Sequence, residues 1–191
     1  MTTANYVTIF RILLVPFIVV QLIYYVQTGN EVNRLIAMLS FAVAAISDAV
    51  DGYIARQYNQ KSELGGILDP LADKLLLVSV IIILSLDNRP YLDRLPIWLP
   101  VTVFGRDFML MIGSMLVYYM SGKVDVCPCM IGKAATVLQI ITVLWFILKW
   151  DASWGFVWSV CAAVTTGVSG LIYIRDGLRQ MSESPSNRSQ L

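Results

Sequence analysis

Residues 35–54 read LIAMLSFAVAAISDAVDGYI. Twenty residues of helix rise about 30 Å, the thickness of a bilayer's hydrocarbon core. The first twelve are apolar but for one serine, and the last seven carry Asp48 and Asp51. Working outward, apolar runs of similar length recur at Val7–Val26, Ile67–Leu86, Ile97–Met120, Ile131–Leu148 and Trp154–Ile174. The whole chain of 191 residues is 57% hydrophobic and only 14% charged, with a mean hydropathy of +0.68, outside the range of an ordinary soluble domain. These features predict an all-α integral membrane protein, a six-transmembrane-helix bundle joined by short connections. Residues 1–176 are expected to form one transmembrane domain, with a polar tail over 177–191. The first run carries polar residues at its start and has no small-residue cleavage site, so it reads as a retained helix.

Lysine and arginine placement sets the orientation. With the N-terminus inside, Arg56, Lys61, Lys123, Lys133, Arg175, Arg179 and Arg188 fall on the inner side and Arg34, Arg89, Arg94 and Lys149 on the outer side. Both termini are therefore expected to face the cytoplasm. A formal net charge of +1 excludes a phosphate-tracking surface, so no nucleic-acid partner is expected. Cys127, Cys129 and Cys161 give an odd count and no disulfide framework, and without histidine the Cys127-Pro128-Cys129 pair makes no convincing metal site.

The acids then need a reason. Asp48 and Asp51 stand three apart near the inner end of the second run, and Asp69 and Asp73 four apart near the inner start of the third. Residues at those separations share a helix face, so two antiparallel helices can bring both pairs to one level. Four carboxylates together would repel and take up protons unless a cation sat among them. Oxygen ligands without histidine or thiolate favour Mg²⁺ or Mn²⁺, and four of them suit two ions in the clamp used for phosphoryl transfer. Gly52 and Ala55 remove bulk beside the acids, as do Gly65 and Gly66 where the third run begins, leaving room for a nucleotide. Arg56 and Lys74 flank this region with charge suited to phosphate. Taken singly, these have plainer readings: close helix approach for Gly52 and Ala55, a topology charge for Arg56, snorkelling for Lys74.

The spacing Asp48-x2-Asp51-Gly52-x2-Ala55-Arg56-x8-Gly65-x3-Asp69-x3-Asp73 resembles the signature of the CDP-alcohol phosphatidyltransferases at every fixed position. The resemblance implies a multi-pass, commonly homodimeric enzyme of a bacterial inner membrane, active site facing the cytoplasm, that displaces CMP from a CDP-linked donor, here CDP-diacylglycerol, held among membrane lipids. It makes Asp48, Asp51, Asp69 and Asp73 the metal ligands and Asp73 also the general base. Gly52, Ala55, Arg56 and Gly65 would line the CDP site. Asn5, Thr8 and Arg11 resemble the family's opening of helix one, near the nucleotide, although an isolated interfacial arginine would also explain Arg11.

Two acceptors compete. Family members using glycerol 3-phosphate tend to carry a second arginine eight positions after the first in helix four and a second lysine in helix five. Here Ser114 and Ala135 occupy those positions, leaving Arg106 and Lys133 as acceptor-binding candidates. That pattern points to phosphatidylglycerol, as in cardiolipin synthases of this fold, with glycerol 3-phosphate as the alternative. Arg106 also reads as the buried salt-bridge partner of a neighbouring acid, for which Asp107 would be a competitor. A cation- or proton-coupled transporter is the reading from another class, disfavoured by an inner-edge cluster and the lack of an internal repeat.

Overall fold

The computed structural model describes residues 3–58, 63–121 and 130–182, of which the side chains of 3–7, 48–71, 73, 114, 116–121 and 177–182 lie outside the description. Among these residues the chain is all helix with no strand: α1 Thr3–Thr28, α2 Glu31–Tyr58, α3 Glu63–Ser85, α4 Trp98–Ser121, α5 Met130–Ile147 and α6 Ala152–Ser182. Three stretches, Thr8–Thr28, Met130–Ile147 and Ala152–Asp176, are long and apolar enough to cross a membrane. The chain divides into two compact units, Met1–Leu95 with Ile140–Gly155, and Pro96–Gln139 with Phe156–Leu191, so that α5 and α6 each supply residues to both.

In the first unit α1 packs along both α2 and α3. Its buried face carries Ile18, Leu22 and Tyr25, matched by Ala37, Phe41 and Ala44 on α2 and by Leu77, Val80, Ile81 and Leu84 on α3, each set at helical spacing. The opposite face of α1 is also apolar, with Leu13, Phe17, Val20 and Tyr24 exposed, and α2 exposes Leu35, Leu39, Val43 and Ile46. Water would penalise that surface at roughly 25 cal/mol per Å², whereas lipid chains accept it.

Local chemistry explains the joints. Gly29 takes a φ of 68° and closes α1 by donating its N–H to the Tyr25 carbonyl at 2.8 Å, the left-handed helix stop that favours glycine. Asn30 then caps α2, its side-chain oxygen accepting the Val32 N–H at 3.1 Å. Asp151 caps α6 in the same way through the Ser153 N–H at 3.0 Å. The connection after α3 bonds back to that helix: Asn88 Nδ2 donates to the Ile83 carbonyl at 2.6 Å, the Leu95 N–H to Leu84 at 2.8 Å, and Arg94 Nε to Ser85 at 2.9 Å. Three carbonyls of the last turn, orphaned where the helix stops, are thereby satisfied.

The second unit buries polar groups where the first buries mostly carbon. On α6, Ser159, Ala162, Thr166 and Ser169 are fully buried at three- and four-residue spacing, while Val157, Val160, Val164, Val168 and Leu171 face out. Gln139 Nε2 of α5 donates to Thr166 Oγ at 2.9 Å inside this unit. Small and hydroxyl-bearing residues inside with branched apolar residues outside is the pattern of helices packing in lipid.

Candidate functional site

Asp48, Asp51, Gly52, Ala55 and Arg56 lie in the C-terminal part of α2, and Gly65, Asp69 and Asp73 in the N-terminal half of α3. The helical backbone at both places puts Asp48 with Asp51, and Asp69 with Asp73, on common faces. The side chains of these eight residues and of Asn5 lie outside the described set, as do residues 59–62. Immediately around Asp73, Ala72 is fully buried and Lys74 is exposed.

On α1, Thr8 and Arg11 are each only 1% exposed. Their spacing of three places them on one face of the helix that packs against α2 and α3. An arginine at a membrane interface would keep its guanidinium in water, so burial removes the interfacial explanation for Arg11. Desolvating a guanidinium is expensive unless partners compensate it, and Arg11 does have an interacting partner.

The second polar constellation is built by α4, α5 and α6. Arg106 Nη1 donates to Asp107 Oδ1 at 2.8 Å, and Nη2 to Ser169 Oγ at 3.2 Å. The Tyr173 ring lies 5.7 Å from the guanidinium carbon, within cation–π range. Glycines make the slot: a Cβ on Gly132 would stand 3.1 Å from Nη2 and 3.3 Å from Ser169 Oγ, and one on Gly170 would stand 3.4 Å from Arg106 Cγ. The Arg106 side chain is 16% exposed and that of Asp107 20%. Arg106 Nε is buried with no hydrogen-bond partner among the described residues. The structure therefore pairs Arg106 with Asp107 itself, the acid expected to compete for such a bridge. Lys133, the other expected acceptor residue, is exposed on the first turn of α5. Cys161 is an exposed free thiol on α6, and Cys127 and Cys129 fall outside the described residues.

Sequence reading missed Ser169, Tyr173, Gly132 and Gly170 as parts of this site. A signal existed in the stripe Ser159, Ala162, Thr166, Ser169 and Tyr173, a polar face running through an otherwise apolar span.

Residues 1–168 match the sequence model of the CDP-alcohol phosphatidyltransferase family. The chain is similar to a CDP-diacylglycerol–glycerol-3-phosphate 3-phosphatidyltransferase from Rickettsia felis, 37% identical over 144 residues, 75% of this chain and 74% of that protein. It is likewise similar to proteins of the same name from Escherichia coli strain K12 and Salmonella choleraesuis, each 29% identical over 170 residues, 87% of this chain and 90% of each relative.

Proposed function

The chain belongs to the CDP-alcohol phosphatidyltransferase family, and from that premise we propose that it transfers a phosphatidyl group from CDP-diacylglycerol to glycerol 3-phosphate, releasing CMP. The observation that carries the acceptor is the kinship with relatives named for glycerol 3-phosphate. It reverses the preference for phosphatidylglycerol drawn from Ser114 and Ala135. Counting cations in a motif ignores their surroundings: a guanidinium held in a low-dielectric slot attracts a phosphate far more strongly than one in water. Arg106, assisted by Lys133, is assigned to the acceptor phosphate.

The donor's acyl chains stay in the bilayer while its nucleotide meets water, which explains why the acids stand in membrane-embedded helices. In this reading Asp48, Asp51, Asp69 and Asp73 hold two divalent ions, Mg²⁺ or Mn²⁺, which when bound neutralise charge on the diphosphate. Gly52, Ala55 and Gly65 leave space for the cytidine. Asn5, Thr8, Arg56 and Lys74 contribute polar and charged contacts to the nucleotide end of the donor. Asp73 accepts the proton of the glycerol hydroxyl as its oxygen bonds to the diacylglycerol-linked phosphorus, and the bond from that phosphorus to the CMP oxygen breaks.

α2, α3 and α4 cross the membrane as well, giving six spans in a bacterial inner membrane, with the active site on the cytoplasmic side and two chains forming a homodimer. A single cysteine in place of Lys61, with the three native cysteines removed, should be labelled by impermeant reagents only after the cells are opened. Labelling of intact cells would overturn this orientation.

Purified protein given CDP-diacylglycerol, Mg²⁺ and glycerol 3-phosphate should form phosphatidylglycerol phosphate, read by mass analysis of the lipid. Cardiolipin formed from phosphatidylglycerol, with no product from glycerol 3-phosphate, would instead establish the second reading, which Ser114 and Ala135 favour.

A further inference from the structure

Resting on the assignment of Arg106 to the acceptor phosphate, we propose that Ser169 and Tyr173 of α6 are positioning residues for acceptor recognition, fixing the Arg106 guanidinium so that its Nε–H is presented to the phosphate.

A free arginine side chain samples many rotamers, and ordering it on binding weakens the interaction it makes. Here that ordering is already in place. Ser169 Oγ accepts from Nη2 at 3.2 Å, Asp107 accepts from Nη1 at 2.8 Å, and the Tyr173 ring covers the group at 5.7 Å. Gly132 brings its helix backbone so near that a methyl group there would press on the arginine and on Ser169, and one on Gly170 would lie in ordinary contact with the arginine stem. The fork is thus held by α4 and α6 and walled by α5. Two of its nitrogens are engaged within the protein, while Nε is buried without a partner among the described residues. A buried N–H left unmade is destabilising and uncommon in folded proteins. A phosphate oxygen is the acceptor whose charge and geometry suit the side of a guanidinium.

The same contacts would also arise if Arg106 merely tied helices together, and steady-state kinetics of the full chain in detergent separates the two roles. Ser169→Ala and Tyr173→Leu should each raise the KM for glycerol 3-phosphate by about 3- to 10-fold, as loss of one contact to a charged group does. The kcat and the KM for CDP-diacylglycerol should stay within about twofold, a split between KM and kcat that marks lost binding of one substrate. Tyr173→Phe, which keeps the ring over the guanidinium, should restore most of the loss seen with leucine. In an Arg106→Ala background, where the acceptor KM is already raised, neither substitution should add a further increase. If Arg106→Ala raises that KM while Ser169→Ala and Tyr173→Leu leave it unchanged, the positioning role is wrong and the acceptor assignment survives. If both α6 variants lower kcat and weaken both substrates alike, α6 is only scaffolding and the inference falls. If Arg106→Ala leaves the acceptor KM untouched, the assignment of Arg106 fails and the inference fails with it.

Discussion

Two sets of charges in this molecule live under different rules. At the α1–α2 joint, Glu31 is 52% and Lys149 40% exposed, and they stand 3.5 Å apart. Arg34 pairs with Glu31 and donates to the Ile147 carbonyl at 3.0 Å, and the Tyr25 hydroxyl lies 3.2 Å from the Glu31 carboxylate. Arg11 and Arg106, by contrast, are withdrawn from solvent within helices of apolar composition. Exposed pairs gain little because water screens them and long side chains lose freedom in making them. Buried charges are expensive to desolvate and persist where an interaction needs them. The difference teaches where to look for chemistry: among the withdrawn charges, and away from the bridges at the rim.

The sharpest way to break this contrast is at the acids. Replacing any one of Asp48, Asp51, Asp69 or Asp73 with asparagine should reduce phosphatidyl transfer by at least about a hundredfold while the protein still inserts and purifies. EDTA should reproduce the loss in the native protein, and a native rate in two of the four variants would defeat the metal-site reading. Next in size is Arg106→Lys, which keeps the charge but replaces a planar fork with a point donor. It should raise the glycerol 3-phosphate KM about tenfold, measured at saturating donor lipid, because charge alone does not substitute for the fork.

Thr166→Val asks whether a neutral polar contact obeys the same rule as a buried charge. It removes the acceptor of the Gln139 amide within the second unit, and unfolding in detergent should show a loss of about 1 kcal/mol with little change in KM. The smallest effect belongs to the rim. The hydrogen bond from Arg34 holds the Glu31 carboxyl below its ordinary value, and Lys149 and Tyr25 add to this. A depressed carboxylate contributes stability above its unfolded pKa and loses that contribution as pH falls through the folded value. Glu31→Gln should therefore melt slightly below the native protein near neutrality and converge with it in acid. Lys149 is raised, chiefly through the Tyr25 hydroxyl, so its share is present at neutral pH and fades only as pH climbs through that raised value. A large change in melting for either residue would erase the distinction between rim and interior.

The helices were legible because each needs a long apolar run, and each of the six expected runs lies within an observed helix or overruns one end of it by a single residue. The acids stood out in the sequence because a carboxylate in such a run is conspicuous on its own, and their side chains lie outside the described set. Arg11 was only half legible: its letter gave the charge, but interface and interior differ by packing that α2 and α3 supply. The Arg106 slot was least legible, since Ser169 lies 63 residues from its partner and serine in an apolar helix is an unremarkable letter. The acceptor preference drawn from the sequence, which the names of the relatives weigh against, was limited for a related reason. Ser114 and Ala135 report how many cations a motif contains, whereas affinity depends on how those present are held.

The connection between α3 and α4 has a consequence for anyone who handles this protein. Its Asn88 and Leu92 are 4% and 2% exposed and Leu95 is fully buried, so the segment is strapped to the end of α3 along much of its length. Proteases cut chain that can be drawn out into an extended strand, and a strapped segment resists that. This connection should survive limited digestion of intact membranes, and a peptide tag inserted between Asn88 and Leu95 would unseat the plug that closes α3.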